Sequence, residues 1–389
     1  MRCRTLPNRG QRRGAITVLA CVLMIVVLGI TAFAIDLGRL ACTRTELKRA
    51  ADAAALAGCW QLVYKGTPGT PVDLTTAVAA APGVSSQFAG LNRVCGAAPG
   101  LGGGDVVVGY MANPTQQGAA INPSGNPNTF NAVQVSVRRT AEQNGLVPTF
   151  FGRVFGNQGM AATSTSTAAL IANFGGFKAP TETSGSPGNV MILPFALDKQ
   201  TWDALQAGTG SDAWSYNSSQ NRVAAGSDGI REVNLFPQGT GSPGNRGTVN
   251  IGASNNSTST LCRQIVYGIS PQDLAYYPNG QLTFDANGHL YLNADPGISA
   301  GCKSALASII GQTRIIPIFA SLVGNGNNAT YDIVAFVGVR ILAVDLTGSM
   351  SSKHLTVQPA TVFTRGGIPA TSSATQSSYG VYSPVWLVQ

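Results

Sequence analysis

Residues Ala15 to Ile35 read AITVLACVLMIVVLGITAFAI, 21 positions without one charge. A helix of that length spans about 30 Å, the thickness of a bilayer's hydrocarbon core. No other feature of the 389-residue chain restricts its fold as much. Arg2, Arg4, Arg9, Arg12 and Arg13 precede the run, and Asp36 closes it. The positive-inside rule then predicts a basic cytoplasmic arm over 1–13, one membrane-spanning helix over 14–35, and an exported remainder. A cleaved secretory signal is the rival reading. Its apolar core would be about 7–15 residues, ending at a small-residue cleavage site. Here helix-forming sequence continues through LGRLACTRTELKRAADAAALAGCWQLV, which favours a retained anchor.

The formal charge of +8 invites a nucleic-acid reading, and its distribution argues against one. Five units lie in the first 13 residues; residues 36–64 carry four basic and three acidic groups, and residues 65–389 carry 16 and 14. A nucleic-acid binder needs basic residues clustered on one face with aromatics among them. The sequence has no such cluster, so no nucleic-acid partner is expected. The charged fraction is 11% against about 25% for an ordinary soluble domain. With 44% hydrophobic residues this excludes a highly charged disordered chain.

Beyond the span, Leu37, Leu40, Leu47, Ala51 and Ala54 recur at helical spacing and predict one shared face. Small residues on such a face allow close helix approach. Two readings stay open at this point: the helix packs on its own domain, or it packs against other subunits. The stretch RRGAITVLACVLMIVVLGITAFAIDLGRLACTRTELKRAADAAALAG resembles the N-terminal signature of Tad (tight adherence, or Flp) pilus-assembly proteins of the TadG-like kind. The resemblance rests on Arg12-Arg13-Gly14, the single span, Asp36-Leu37-Gly38-Arg39, the step from Arg44 to Leu47, and the run Ala50 to Gly58. It implies a bacterial inner-membrane protein that works as a structural or assembly component rather than an enzyme. The implied partners are the lipid bilayer, other pilus-assembly or pilin-like proteins, and further copies of itself. The docking helix would present Arg12, Arg13, Gly14, Asp36, Gly38, Leu47, Ala51 and Ala54. Arg12-Arg13-Gly14 also looks like a prepilin-type leader cleaved after Gly14, although Leu19 stands where such leaders carry glutamate.

The expected fold class is α+β. A short helix is predicted at Leu74–Ala81, and strands at Asp105–Met111, Ala132–Arg138 and Ala161–Ile171. Val133, Val135 and Val137 point one way and Gln134, Ser136 and Arg138 the other, as in a half-buried strand. A long N-terminal helix followed by a small antiparallel sheet over 36–171 is the pilin-like arrangement. The resemblance continues more weakly through Val147-Pro148-Thr149-Phe150-Phe151 and Phe155-Gly156 to about residue 171. These read as core and turn residues. Residues 172–189, rich in Gly, Pro, Ser and Thr, predict a linker. Residues 190–389 predict a β-rich exported domain, with IVAFVGVRILAVDL (333–346) as a central strand buried on both faces. Helices are expected at Lys199–Ala207 and Cys302–Ile310. The phrases SPGNRGTVNIG (242–252) and IIPIFASLVGNGNNATYDIVAFVGVRIL (315–342) resemble the C-terminal part of some TadG-related surface proteins.

Asp345-Leu346-Thr347-Gly348-Ser349-Met350 resembles the metal loop of von Willebrand factor A domains. Asp345, Thr347 and Ser349 supply the hard oxygen donors that Mg²⁺ takes. Only 39 residues follow Met350, too few for the rest of such a domain, so a plain turn is expected, without metal or cofactor. An adhesive or ligand-binding module using Asp345 is the alternative function. Gly297-Ile298-Ser299-Ala300-Gly301 matches a nucleophile elbow, with Asp332, Asp345 and His354 downstream in hydrolase order. Asp295-Pro296 breaks the strand such an elbow needs, which leaves an envelope hydrolase through Ser299 as a second alternative. His289 and His354, the two histidines, show no metal-ligand spacing.

Of seven cysteines, Cys3 would be cytoplasmic and Cys21 within the span. Export would let disulfides form among the other five. The expected pairs are Cys59–Cys95 and Cys262–Cys302, with Cys42 left over.

Overall fold

The uncharged run forms the first part of one continuous helix, α1 (Arg13–Trp60), 48 residues and about 72 Å long. The computed structural model describes residues 13–63, 73–181, 187–236, 247–295, 299–324, 329–348, 352–370 and 377–388. Between Ile16 and Leu37 almost every large apolar side chain of α1 is exposed, Ile16 at 72% and Ile25 at 70%. From Asp36 the helix acquires a buried stripe: Asp36, Thr43, Leu47, Ala50, Ala51, Ala54, Ala55 and Cys59. Steps of three and four residues keep that stripe on one side of the helix. Leu37, expected on this face, is 45% exposed. Leu40, Leu47, Ala51 and Ala54 lie on the stripe as expected, and Asp36 rather than Leu37 begins it.

The chain divides into two compact units. One comprises Met1–Ala54, Ser86–Val106 and Val135–Ser166; the other comprises Ala55–Ser85, Val107–Gln134 and Thr167–Gln389. Helix α2 (Thr75–Leu91) extends well past the expected stop at Pro82. Proline removes one hydrogen bond and crowds the preceding turn. Ala81, Ser85 and Ala89 are nevertheless fully buried at helical spacing, and that packing carries the helix through. A four-stranded sheet runs in the order Val106–Gly109, Ala132–Arg139, Ala162–Ala169, Trp386–Val388. Val133, Val135 and Val137 are fully buried on one side of it. This sheet, with the long helix, gives the α+β class.

Within the expected linker 172–189 the chain is partly structured, and 182–186 lie outside the described residues. Phe174–Lys178 is a strand, paired antiparallel with Gln281–Thr283 and with Gly367–Pro369. Phe174 and Phe177 are fully buried and stacked at 5.5 Å. The glycines that suggest flexibility serve close packing instead: a Cβ at Gly176 would lie 2.4 Å from the Leu282 carbonyl oxygen.

The second unit is built on an eight-stranded sheet. Its pairings return on themselves. Ala329–Asp345 pairs with Leu290–Asp295, which pairs with Gly247–Val249; that strand pairs with Phe195–Asp198, which pairs with Thr313–Val323, and this strand pairs again with Ala329–Asp345. Closing the ring removes exposed strand edges. Two hydrophobic cores flank it. Ala329, Tyr331, Ile333 and Phe336 enter one; Ala335, Val337, Val339 and Ile341 enter the other. The changeover falls where the register with Thr313–Val323 shifts, between Ile318 and Ser321. A bulge re-aims the side chains, so one strand serves both cores. The helices α3 (Lys199–Gln206), α4 (Thr258–Tyr267), α5 (Pro271–Leu274) and α6 (Lys303–Ala307) complete the unit. α3, α4 and α6 supply Trp202, Leu205, Leu261, Ile265 and Leu306 to the second core.

Candidate functional site at the helix collar

The best-defined polar assembly outside the cores surrounds α1 where its exposed apolar part ends. Asp36 is buried, and its carboxylate accepts hydrogen bonds from three consecutive backbone N–H groups. These are Phe150 at 2.6 Å, Phe151 at 3.2 Å and Gly152 at 2.8 Å. Burial alone would raise the Asp36 carboxyl. The N–H donors of Phe150, Gly152 and Phe151 and the charge of Arg39 outweigh it and hold the group below the usual carboxylate range. Position 152 must be glycine for this geometry, because a Cβ there would sit 2.8 Å from Thr149 Oγ1 and 3.1 Å from the Asn157 carbonyl oxygen.

Further along α1 the same device recurs. Glu46 Oε2 accepts from the Cys95 N–H at 2.7 Å. Cys95 has φ +50°, an uncommon backbone state for a residue with a side chain, and this hydrogen bond helps hold it. Thr43 Oγ1 lies 3.2 Å from Cys95 Sγ, and Arg49 reaches the Arg93 carbonyl oxygen. Lys48 and Asp52 pair at 2.9 Å one turn apart, and both contact Ser166 Oγ. Polar side chains of the helix thus grip two loops and a strand. Among the described residues of the arrangement there is no nucleophile–base pair; its chemistry is mechanical, fixing the segments at 93–95 and 150–152 and the strand residue Ser166 on α1.

Of the expected docking residues, Asp36, Leu47, Ala51 and Ala54 are buried by the chain itself, and Gly38 is exposed with open space around it. Arg13 and Gly14 open α1, and Arg12 lies outside the described residues. Cys262 and Cys302 form a disulfide with Cα atoms 5.2 Å apart. The expected Cys59–Cys95 bridge is absent, and both thiols are free. Each has a local partner: Cys59 Sγ faces the Asn131 carbonyl oxygen, and Cys95 Sγ faces Thr43. Burial pushes the Cys59 thiol up, which keeps it unreactive.

Asp345 Oδ1 accepts from both the N–H and the hydroxyl of Thr347, at 2.9 and 2.7 Å, and Lys303 Nζ stands 3.5 Å away. Those Thr347 bonds, followed by the lysine charge, lower the Asp345 carboxyl to about 2. A turn with a lysine at its mouth is a poor cation cradle, and Ser349 lies outside the described residues. Among the described residues no group of three or more His, Cys, Asp or Glu is arranged to hold a metal. Ser299 Oγ accepts from the Gly301 N–H, His354 Nδ1 sits by the Ser352 carbonyl oxygen, and His289 Nδ1 pairs with Asp332 at 2.6 Å. The structure does not bring Ser299 and a histidine together among these contacts. Phe150, Phe151, Gly152 and Glu46 escape sequence reasoning as site residues, and Cys95 is expected there only as a disulfide partner. The turn phrase Thr149 to Gly156 is the one signal available for the first three.

Neither the curated proteins nor the solved structures provide a match. Residues 14–81, which hold the exposed apolar helix, the gripped stem and the first part of α2, match the family model Tad, described as "Putative Flp pilus-assembly TadE/G-like".

Proposed function

We propose that this chain is a single-pass, membrane-anchored structural component of a Tad/Flp pilus-assembly system. Its N-terminus is cytoplasmic and its bulk is exported to the periplasm or cell surface of a bacterial inner-membrane system. It acts by docking and protein–protein contact: α1 holds it in the membrane, the collar transmits load from helix to exported chain, and the pilin-like exported part meets pilin-like partners or further copies. The observation that carries this reading is the match over 14–81. It falls on the one helix long and apolar enough to cross a membrane among the described residues. The disulfide Cys262–Cys302 supports export, since such bonds persist in oxidising compartments.

The test is a clean deletion in the source cell, complemented by the full chain and by Asp36→Ala. The expected result is loss of pili on deletion, rescue by the full chain, and co-purification of pilus-assembly proteins with it from envelope membranes. Normal piliation in the deletion strain would refute the assembly role. Alkaline extraction and an alkaline-phosphatase fusion beyond residue 63 check the anchor and its orientation, and N-terminal sequencing shows whether cleavage follows Gly14.

A further inference from the structure

The turn gripped by Asp36 carries two apolar side chains that stay largely exposed among the described residues. Phe150 is 66% exposed and Val154 is 79% exposed. Phe150 precedes a short 3₁₀ turn, Gly152–Phe155, and Val154 lies within it beside the exposed Arg153. Exposed apolar residues scattered singly are ordinary on protein surfaces. These two are not scattered: they are held rigidly beside the end of the apolar helix. The Phe150 N–H lies 2.6 Å from the Asp36 carboxylate, and Asp36 directly follows the uncharged run.

The geometry sets a depth. Twenty-one helical residues rise about 31 Å, which matches a hydrocarbon core of about 30 Å. Asp36 therefore sits at the boundary between hydrocarbon and headgroups, a zone about 5–8 Å deep on each side. The buried stripe confirms where the exported chain begins to cover α1. Ala32, one turn before Asp36 on the same side, is 7% exposed, whereas neighbouring Phe33 is 65% exposed. Cover on that side thus starts about 6 Å inside the end of the span. The Phe150 ring starts within the same zone, packed edge-on against Phe151 at 5.0 Å.

We propose that the turn 149–154 is an interfacial membrane anchor. Phe150 and Val154 enter the headgroup–acyl boundary of the leaflet at the C-terminal end of the span, and Arg153 faces lipid phosphate. The occupant is phospholipid, argued from continuity with the spanning helix, and the inference rests on the spanning reading given above. Aromatic and aliphatic side chains gain from that boundary, and arginine reaches phosphate there. Asp36 then does two things at once. It ends the span, and its three backbone hydrogen bonds fix the turn at the membrane surface.

The test uses the full chain in phosphatidylcholine–phosphatidylglycerol vesicles. A fluorescent amino acid replaces, one at a time, Phe150, Val154 and Leu23 within the span. Lipids brominated near the headgroup or at the chain end serve as quenchers. Probes at 150 and 154 are expected to lose emission mainly to the shallow bromines, and the probe at 23 to the deep ones. Quenching at 23 with none at 150 and 154 overturns the interfacial anchor and leaves the span standing. No quenching at 23 overturns the span and the anchor with it. A blue shift at 150 that depends on protein density but not on bromine means a second copy covers the turn, and also overturns the proposal. Phe150→Ser with the probe at 154, and Val154→Ser with the probe at 150, provide a second readout: slow exchange of the 150–152 amides should survive while shallow-bromine quenching falls, and undiminished quenching overturns the anchor.

Discussion

Removing the bridge between Cys262 and Cys302 tests how the second core is held. Cys262 lies in α4, and Cys302 ends a 3₁₀ turn that runs directly into α6. The two are 40 residues apart in sequence. Closing a loop of that length removes about 13 cal/mol/K of chain entropy from the unfolded state, worth about 4 kcal/mol at 25 °C. Cys302 is 1% exposed and packs in the same cluster as Leu261, Ile265, Leu306 and Trp202. The double variant Cys262→Ala/Cys302→Ala removes the bridge without leaving a lone thiol or a buried hydroxyl. A domain's whole stability is about 5–15 kcal/mol, so the loss is a large share. The assay is urea unfolding of the detergent-solubilised chain, with Trp60, Trp214 and Trp386 replaced by Phe so that buried Trp202 reports. The midpoint should fall by about 1–2 M, with a slope equal to or steeper than that of the bridged chain because the unbridged unfolded state is less compact. A shift equivalent to less than about 1 kcal/mol would refute the loop-entropy reasoning. The same variant should accumulate poorly in the envelope, and so should the wild-type chain in cells without a thiol oxidase.

Four side chains give further expectations. Asp36→Ala should abolish slow hydrogen exchange at Phe150, Phe151 and Gly152; unchanged protection there would mean the collar does not depend on the carboxylate. Because the folded Asp36 carboxyl is held low, its contribution is present above the ordinary carboxylate pKa and is lost as pH falls through the lowered value. Protection at 150–152 should therefore persist at mildly acidic pH and fail only well below it. Gly58→Ala places a Cβ 2.2 Å from Ser85 Oγ, a buried hydroxyl without a partner among the described residues. It should cost about 1–3 kcal/mol by overpacking, and adding Ser85→Ala should recover most of that in a double-mutant cycle. His289 should titrate above its ordinary pKa because Asp332 accepts its Nδ1 proton, and Asp332→Asn should bring it down in an NMR titration. That pair adds stability below the unfolded histidine pKa and loses it as pH rises through the raised folded value.

Features written in local periodicity were legible before the structure. The charge-free run, the alternation of Val133, Val135 and Val137, and the long apolar run ending at Asp345 each declare themselves within a few residues. The collar does not. Asp36 finds its donors 114 to 116 positions away, and no local pattern marks a carboxylate aimed at distant backbone N–H groups. The strand Phe174–Lys178 was hidden for another reason: Gly175 and Gly176 signal a flexible stretch by composition, while their use is close backbone approach to 282–283 and 369–370. Leu37 shows the limit of spacing rules on a helix, where a line one position off still fits most of its members. The cysteines paired plausibly by compartment and order, yet a bridge needs geometry, and Cys59 is occupied with a carbonyl in the interior.

The sheet edge at Ala162–Ala169 is completed by Trp386–Val388, a partner made more than 200 residues later. At ordinary synthesis rates of about 5–20 residues per second, that edge waits on the order of 10–40 s for its neighbour. With α1 anchored in a membrane as proposed, the chain is tethered during the wait, and an open strand edge is a template for misassociation with another tethered copy. Tethering concentrates such copies in two dimensions. Correct biogenesis of this protein is therefore a race between delivery of a late strand and lateral encounter, and envelope chaperones that shield unpaired strands should decide its yield.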